Sequence, residues 1–174
     1  DNEHFDLDKG IHFLTLGAEQ DNSVAQAALG DIYYDAKFTD QNLVLAEKWY
    51  RLAAKSNDSA GLFGLGCLYQ DGEVVPKHPK KAFQLFSRSS LLGNPAAQNK
   101  LGTLYAIGSG IKKDKKEAFG WHLEASKSGL ADAHNSLGGF YEDGDYVNKD
   151  LKKATKHYKF AAERGHLLAQ FNLA

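Results

Sequence analysis

Seven histidines, one cysteine and three lysine-rich stretches are the most chemically versatile side chains of this 174-residue chain. The histidines are scattered, without a metal-binding spacing such as H-E-x-x-H. His122 and His157 fall on the inward side of predicted helices, where packing is expected of them. Cys67 has no base beside it in sequence, so a buried, small apolar role is expected of it. Standing alone, it forms no internal disulfide. Asp71-Gly72 and Asp143-Gly144-Asp145 begin like calcium loops but lack the remaining ligands and the terminal glutamate. Turn chemistry accounts for them. Asn57-Asp58-Ser59 matches a glycosylation sequon, yet Asn57 is also needed to end a helix. No nucleophile elbow, phosphate loop or dinucleotide fingerprint occurs. The chain is therefore read as non-enzymatic, with no catalytic residue, metal or cofactor.

The lysines cluster at Lys77–Lys81, Lys112–Lys116 and Lys149–Lys156. They could form a stripe for an acidic partner. Asp114, Glu117 and Asp150 lie among them, however, and the formal net charge is −1. Solvated loop edges are the expectation, and the electrostatic footprint of a nucleic-acid binder is missing. Hydrophobic content of 43% and charged content of 25% suit a folded core. No run of 18 apolar residues is present, so no membrane insertion is expected. No basic-then-apolar leader opens the chain, and it contains no methionine. A mature form or an excised fragment is expected.

The elements that must carry these side chains repeat. Leu29-Gly30, Leu65-Gly66, Leu101-Gly102 and Leu137-Gly138 recur every 36 residues. Tyr33, Tyr69, Tyr105 and Tyr141 follow at one offset, and Ala46, Ala82, Ala118 and Ala154 at another. A fixed period in the 20–50 residue range signals a stacked repeat protein. Such quasi-one-dimensional scaffolds offer extended binding surfaces.

Each unit reads as two helices. In the unit 95–130, Pro95 suits a first helical turn. Ala97, Leu101, Leu104 and Tyr105 then share one face, and Gly108 and Gly110 end the helix. Asp114 starts a second helix, with Glu117 three residues on as in a capping box. Ala118, Trp121, His122 and Ala125 face inward, and Gly129 closes the helix at C′. Asn42, His78, Asp114 and Asp150 share the cap position, with His78 the poorest acceptor. Gly93, Gly129 and Gly165 share the closing position, where the first unit has Asn57. One repeat domain is expected over 1–174, with full repeats at 23–58, 59–94, 95–130 and 131–166. Residues 6–21 read as an earlier second helix, capped by Asp6, with Phe13 aligned to Trp49 and Ala18 to Ala54. Residues 167–174 read as the start of a truncated repeat, with Ala174 where glycine is expected.

Glycine inside a helix costs roughly 1 kcal/mol relative to alanine. Four at one structural position imply a close crossing. The expected crossing is backbone to backbone, with the alanines of the second helix opposite the glycines. The Tyr33 series and the series Trp49, Leu85, Trp121 and His157 would then fill the space between units.

The pattern A-x-x-x-L-G-x-x-Y-x-x-G, then K-D-x-x-K/E-A, then A-A/S-x-x-G, resembles the Sel1-like repeat family, which is related to the tetratricopeptide repeats. The fullest match is Ala97 to Gly108, followed by Lys113-Asp114 and Ala118. Departures are local: Ala36 in place of the loop glycine, Gly61 in place of alanine, and Pro79 after a cap. The resemblance implies an all-α, right-handed α/α solenoid of antiparallel helix pairs that works as an adaptor. Cysteine-rich bacterial members carry paired cysteines in each repeat; with Cys67 alone, this chain is unlike that branch.

In such stacks the first helix of each repeat commonly lines the concave face. Its positions that differ from unit to unit are the candidates for recognition. They form the rows Ala27, Phe63, Asn99, Asn135; then Asp31, Cys67, Thr103, Gly139; then Tyr34, Gln70, Ala106, Glu142. Lys100 and Ser136 flank the first row. Phe63, Asn99, Lys100, Thr103, Asn135, Glu142, Tyr34 and Gln70 are the candidate partner-binding residues, the asparagines being able to bond an extended peptide backbone. A protein or peptide partner is expected there. The alternatives are an enzyme or small-molecule pocket in the groove, and self-association through the repeat ends.

Overall fold

The computed structural model describes residues 2–35 and 40–173, with side chains from residue 7 onward. The loop position Ala36, the C-terminal Ala174 and the side chain of Asp6 lie outside that description. Among the described residues ten helices follow one another, and the chain divides into two compact units, Asp1–Leu92 and Gly93–Ala174. The first unit holds α1 (Asn2–Glu19), α2 (Ser23–Tyr34), α3 (Leu43–Lys55), α4 (Ser59–Asp71) and α5 (Pro79–Leu91). The second holds α6 (Pro95–Ile107), α7 (Lys115–Ser126), α8 (Ala131–Asp143), α9 (Leu151–Ala162) and α10 (Leu167–Asn172). The fold class is all-α, built from the antiparallel helix pairs α2–α3, α4–α5, α6–α7 and α8–α9.

Helix starts follow the cap chemistry. The side chains of Asn42, His78, Asp114 and Asp150 each accept from a backbone N–H in the first turn of the second helix of their pair. The loop before each cap closes through one recurrent bond. The cap residue's N–H donates to the carbonyl of the tyrosine in the repeat signature: Asn42 to Tyr33, His78 to Tyr69, Asp114 to Tyr105, Asp150 to Tyr141, at 2.8–2.9 Å. That bond fixes the loop length. Gly93, Gly129 and Gly165 end their helices at φ +85°, +78° and +81°, and Asn57 takes the same left-handed conformation at φ +58°. The N-terminal helix departs from expectation. α1 begins at Asn2, so Asp6 lies inside it rather than capping it. Phe13, aligned with the buried Trp49, is 68% exposed; α1 packs mainly on α2.

The core follows the period. Leu29, Leu65, Leu101 and Leu137 are buried, as are Ala46, Ala82, Ala118 and Ala154. Trp49 is buried with Ala18, Ala25 and Leu29, and Tyr33 packs on this cluster. A side-chain clamp also recurs: Gln26, His134 and Gln170 reach the carbonyls of Ala18, Ser126 and Ala162, at the end of the preceding second helix, at 3.0–3.3 Å. Each of these carbonyls also accepts a backbone N–H of the closing turn, from Asp21, Gly129 and Gly165, so the side chain adds a second bond at the helix end.

The glycine position corrects the expected backbone crossing. A Cβ at Gly30 would lie 2.4 Å from the Tyr50 ring, at Gly66 2.7 Å from Phe86, at Gly102 2.9 Å from His122, and at Gly138 2.4 Å from Tyr158. A ring from the second helix sits flat on the glycine; the recurrent alanines do not. The backbone-close approach occurs instead at Gly61, where a Cβ would meet the Ala53 side chain at 2.4 Å and the Ala54 nitrogen at 3.0 Å.

Candidate functional site

The first helices, α2 and α4 in one unit and α6 and α8 in the other, carry all eight candidate partner-binding residues. Most of these side chains are engaged within the fold. Each ring that rests on a signature glycine presents its outer edge to the first-helix face, and a side chain there answers it. The Tyr50 hydroxyl donates to Asp31 Oδ1 at 2.7 Å. Phe86 packs against Phe63, centroids 5.7 Å apart. His122 Nδ1 pairs with Asn99 Oδ1 at 2.7 Å. The Tyr158 hydroxyl donates to Glu142 Oε2 at 2.6 Å. A phenol finds a carboxylate, a phenyl finds a phenyl, and an imidazole finds an amide. Part of the unit-to-unit variation on this face therefore tracks the ring behind it.

The remaining candidates divide. Tyr34 is half-buried and donates to Asp71 Oδ2 at 3.3 Å. Asn135 accepts from Asn172 at 3.3 Å. Thr103 is exposed, its hydroxyl bonded to the Asn99 carbonyl one turn back at 3.2 Å. Lys100 and Gln70 are half-buried. Within the second unit, Lys100, Thr103 and Asn135 present polar atoms from α6 and α8, and within the first Phe63 and Gln70 lie on α4.

Burial sets the electrostatics of the rings. It raises the Tyr50 phenol, which the adjacent Asp31 raises further, and it raises Tyr158 together with Glu142. Asp31 itself is raised, by burial first, against the opposing bond from Tyr50. The His122 imidazole, 2% exposed, is lowered to about 4 by burial. It is neutral at physiological pH, where its bond to Asn99 requires a hydrogen on Nδ1. His157 is half-buried and stacks on Tyr141 at 5.6 Å. Its Nδ1 meets His134 Nδ1 at 3.0 Å. The ring centroids of the two histidines are 5.1 Å apart. That is the near head-on geometry of an N–H···N bond, and it is too close for a metal between the nitrogens. Among the described residues no group of three or more His, Cys, Asp or Glu side chains is placed to hold a metal ion, and no helix is long and apolar enough to cross a membrane. Cys67 is half-buried on α4, so it is less enclosed than expected of a core residue.

Three residues central to this face, the rings Tyr50, Phe86 and Tyr158, escaped the sequence reading; the fourth, His122, is buried as expected, but its seat on Gly102 was not foreseen. The four rings recur at a spacing of 36, each 20 residues beyond its signature glycine. That register was the available signal. The changing identity of the ring obscured it.

A family model described as Sel1 repeat matches residues 4–22, 23–58, 59–94, 95–130 and 131–166. Among solved structures, a Sel1 repeat protein from Oxalobacter formigenes is 29% identical with a TM-score of 0.83, over 97% of this chain and 73% of that one. The protective antigen c5321 of uropathogenic Escherichia coli, described as displaying an SLR fold, is 33% identical with a TM-score of 0.81 over 91% of this chain. The match takes in 34% of c5321, so this chain spans about a third of that relative's length. Helicobacter pylori cysteine rich protein B is 25% identical with a TM-score of 0.59, over 75% of this chain and 93% of that protein. Among curated proteins no match emerged.

Proposed function

The chain belongs to the Sel1 repeat family, and from that premise we propose that it is a non-enzymatic scaffold that binds a partner protein or peptide on the face formed by the first helix of each repeat. One observation carries this reading. The interior repeats with little change, whereas the solvent-facing positions of α2, α4, α6 and α8 differ from unit to unit in size, charge and hydrogen-bonding capacity. A repeat array with a recurrent leucine, glycine and alanine framework and a varied first-helix surface is built for recognition.

Asn99 and Glu142 have structural work behind the face, so Thr103 and Asn135 are the cleaner probes of it. Affinity purification from the native cell, with mass spectrometry, identifies the partner. Replacing Thr103 and Asn135 together by alanine should weaken its capture about tenfold, or roughly 1.4 kcal/mol, since a few residues dominate an interface. Replacing Lys152 and Lys156, exposed on α9, should leave it intact. The reverse result moves the binding surface to the second helices and overturns the reading.

A second reading has its own support. Leu167, Leu168 and Phe171 on α10 are 78%, 65% and 79% exposed. Exposed apolar clusters mark association sites, and self-association through this end is tested by light scattering against concentration. Leu168→Glu should abolish any concentration dependence; a wild type that stays monomeric removes the reading.

A further inference from the structure

Two cavities occupy the same register in the two units. In the first unit, Tyr34, Gln41, Leu43, Leu68, Asp71 and Glu73 enclose about 80 Å³ between α2 and α4. Counting two repeats on from each gives Ala106, Lys113, Lys115, Phe140, Asp143 and Asp145. All six line a cavity of about 260 Å³ between α6 and α8, completed by Ser136 and Gly139. The same architectural pocket is thus nearly closed in one unit and open in the other.

Tyr34 accounts for the difference. Its ring forms a wall of the first pocket, 6.3 Å from Tyr50, and its hydroxyl donates across it to Asp71. Burial first, and the Asp71 charge second, push the phenol up to about 12, so it remains a donor. In the second unit alanine stands at that position, and α6 and α8 approach less closely than α2 and α4 do. The pocket has kept its fittings. Asp143 stands where Asp71 accepts the phenol, and Phe140 replaces Leu68 as the wall, giving a ring an aromatic surface to pack on. Phe140 is held edge-on by Phe119 at 5.6 Å and braced by His122 at 6.0 Å. Lys115 pairs with Asp145, which neutralises one charge of each sign at the rim.

Resting on the first-helix reading above, we propose that the cavity between α6 and α8 takes a tyrosine side chain of the partner protein, in the place that Tyr34 fills for itself in the first unit. The phenol ring packs on Phe140 and over Ala106, and its hydroxyl donates to Asp143. A phenylalanine would leave the Asp143 carboxylate unanswered. The apolar ring supplies contact area, and the bond to the exposed Asp143 carboxylate adds a modest preference for a ring that carries a hydroxyl.

p-Cresol, the tyrosine side-chain analogue, is the probe, with toluene as its hydroxyl-free control. Both are titrated into the full chain and followed by amide chemical shifts. p-Cresol should shift Gly139, Phe140 and Asp143 and bind about tenfold more tightly than toluene. Ala106→Tyr should abolish the effect by filling the pocket from within. Asp143→Asn, an exposed change that leaves the core alone, should weaken p-cresol about tenfold and leave toluene unchanged. Tyr34→Ala should open a second p-cresol site at Leu68 and Asp71. Shifts elsewhere, shifts that persist in folded Ala106→Tyr, or equal affinity for the two probes would overturn the proposal. A partner that loses tenfold with the Thr103 and Asn135 changes but ignores Ala106→Tyr would sink the tyrosine pocket and leave the first-helix reading standing. A partner indifferent to the Thr103 and Asn135 changes sinks that reading, and p-cresol still decides the pocket.

Discussion

The His122 imidazole lies flat on Gly102 across the α6–α7 pair, so that a methyl group at position 102 would come within 2.9 Å of the ring. Tyr50 on Gly30, Phe86 on Gly66 and Tyr158 on Gly138 repeat the arrangement. The helical cost of each glycine, roughly 1 kcal/mol, is offset by burying a ring that could not otherwise approach the first helix.

Gly102→Ala should therefore lose about 1–3 kcal/mol, the usual cost of overpacking, although helix propensity alone would favour it. Gly30→Ala and Gly138→Ala should lose more, because the Cβ would meet Tyr50 and Tyr158 at 2.4 Å. Urea denaturation measures each. The decisive comparison is Gly102→Ala combined with His122→Ala. Without the ring, the alanine no longer clashes, and the double variant should be less destabilised than the sum of the singles by about 1 kcal/mol or more. Strict additivity would mean that the ring is not what the glycine accommodates.

Much of this architecture is legible in the sequence. Asp114 announces a helix start and Gly129 a helix end through local chemistry, and the 36-residue period locates Leu101 and Ala118 in the core. The partner of Gly102 is not legible in the same way. It lies 20 residues away on another helix, and the facing residue changes from Tyr50 to Phe86 to His122 to Tyr158. A reader following recurrent identities meets the alanines first and pairs the glycine with them. For the same reason Asn99 looks like a free recognition residue. Its unit-to-unit variability is real, but much of it answers the ring at 122, a relation visible only once the helices are packed. Asp6 misleads differently: an acceptable cap residue does not start a helix when the residues before it also propagate one.

Caps can be tested apart from packing. Asp114 accepts from the N–H groups of Lys116 and Glu117 at 2.9 and 3.1 Å. Asp114→Ala should cost about 1 kcal/mol. His78 caps through a ring nitrogen at a longer 3.3 Å from the Lys81 N–H. His78→Asp should gain a smaller amount. Thermal melts check both; a neutral first change together with a destabilising second would contradict the cap assignments.

The chain should lose stability in mild acid. His122 titrates near 6.5 when unfolded and at about 4 when buried. Its contribution is complete above the unfolded value, where both states are neutral. As pH falls from about 6.5 to about 4, the unfolded chain takes up a proton that the folded chain refuses, at a cost of about 1.4 kcal/mol per pH unit. Below the folded value no further loss comes from this residue. Burial lowers His134 and His157 as well, so they add to the same limb. The share of His122 is the difference between the wild type and His122→Phe in urea melts at pH 7 and pH 4.5. An unchanged pH dependence in His122→Phe would mean that this imidazole is protonated in the folded chain at mild acid.

The pairing of ring with first-helix residue predicts a transplant. Phe63 and Phe86 stand 36 residues before Asn99 and His122, and they make a ring–ring contact where the later pair makes a hydrogen bond. Asn99→Phe alone strands the His122 Nδ1 in a buried site, which should cost about 1–3 kcal/mol. His122→Phe alone leaves the Asn99 amide facing a phenyl edge, and some loss follows there too. Asn99→Phe with His122→Phe rebuilds the contact of the preceding repeat, on a glycine that already admits a phenyl ring at position 66. The double variant should fall closer to wild type than either single, with a coupling of about 1 kcal/mol or more in a double-mutant cycle. It should also have lost its share of the acid limb. If the two substitutions are merely additive, the first-helix residue and the ring are independent choices, and the variation at positions 63 and 99 needs another cause.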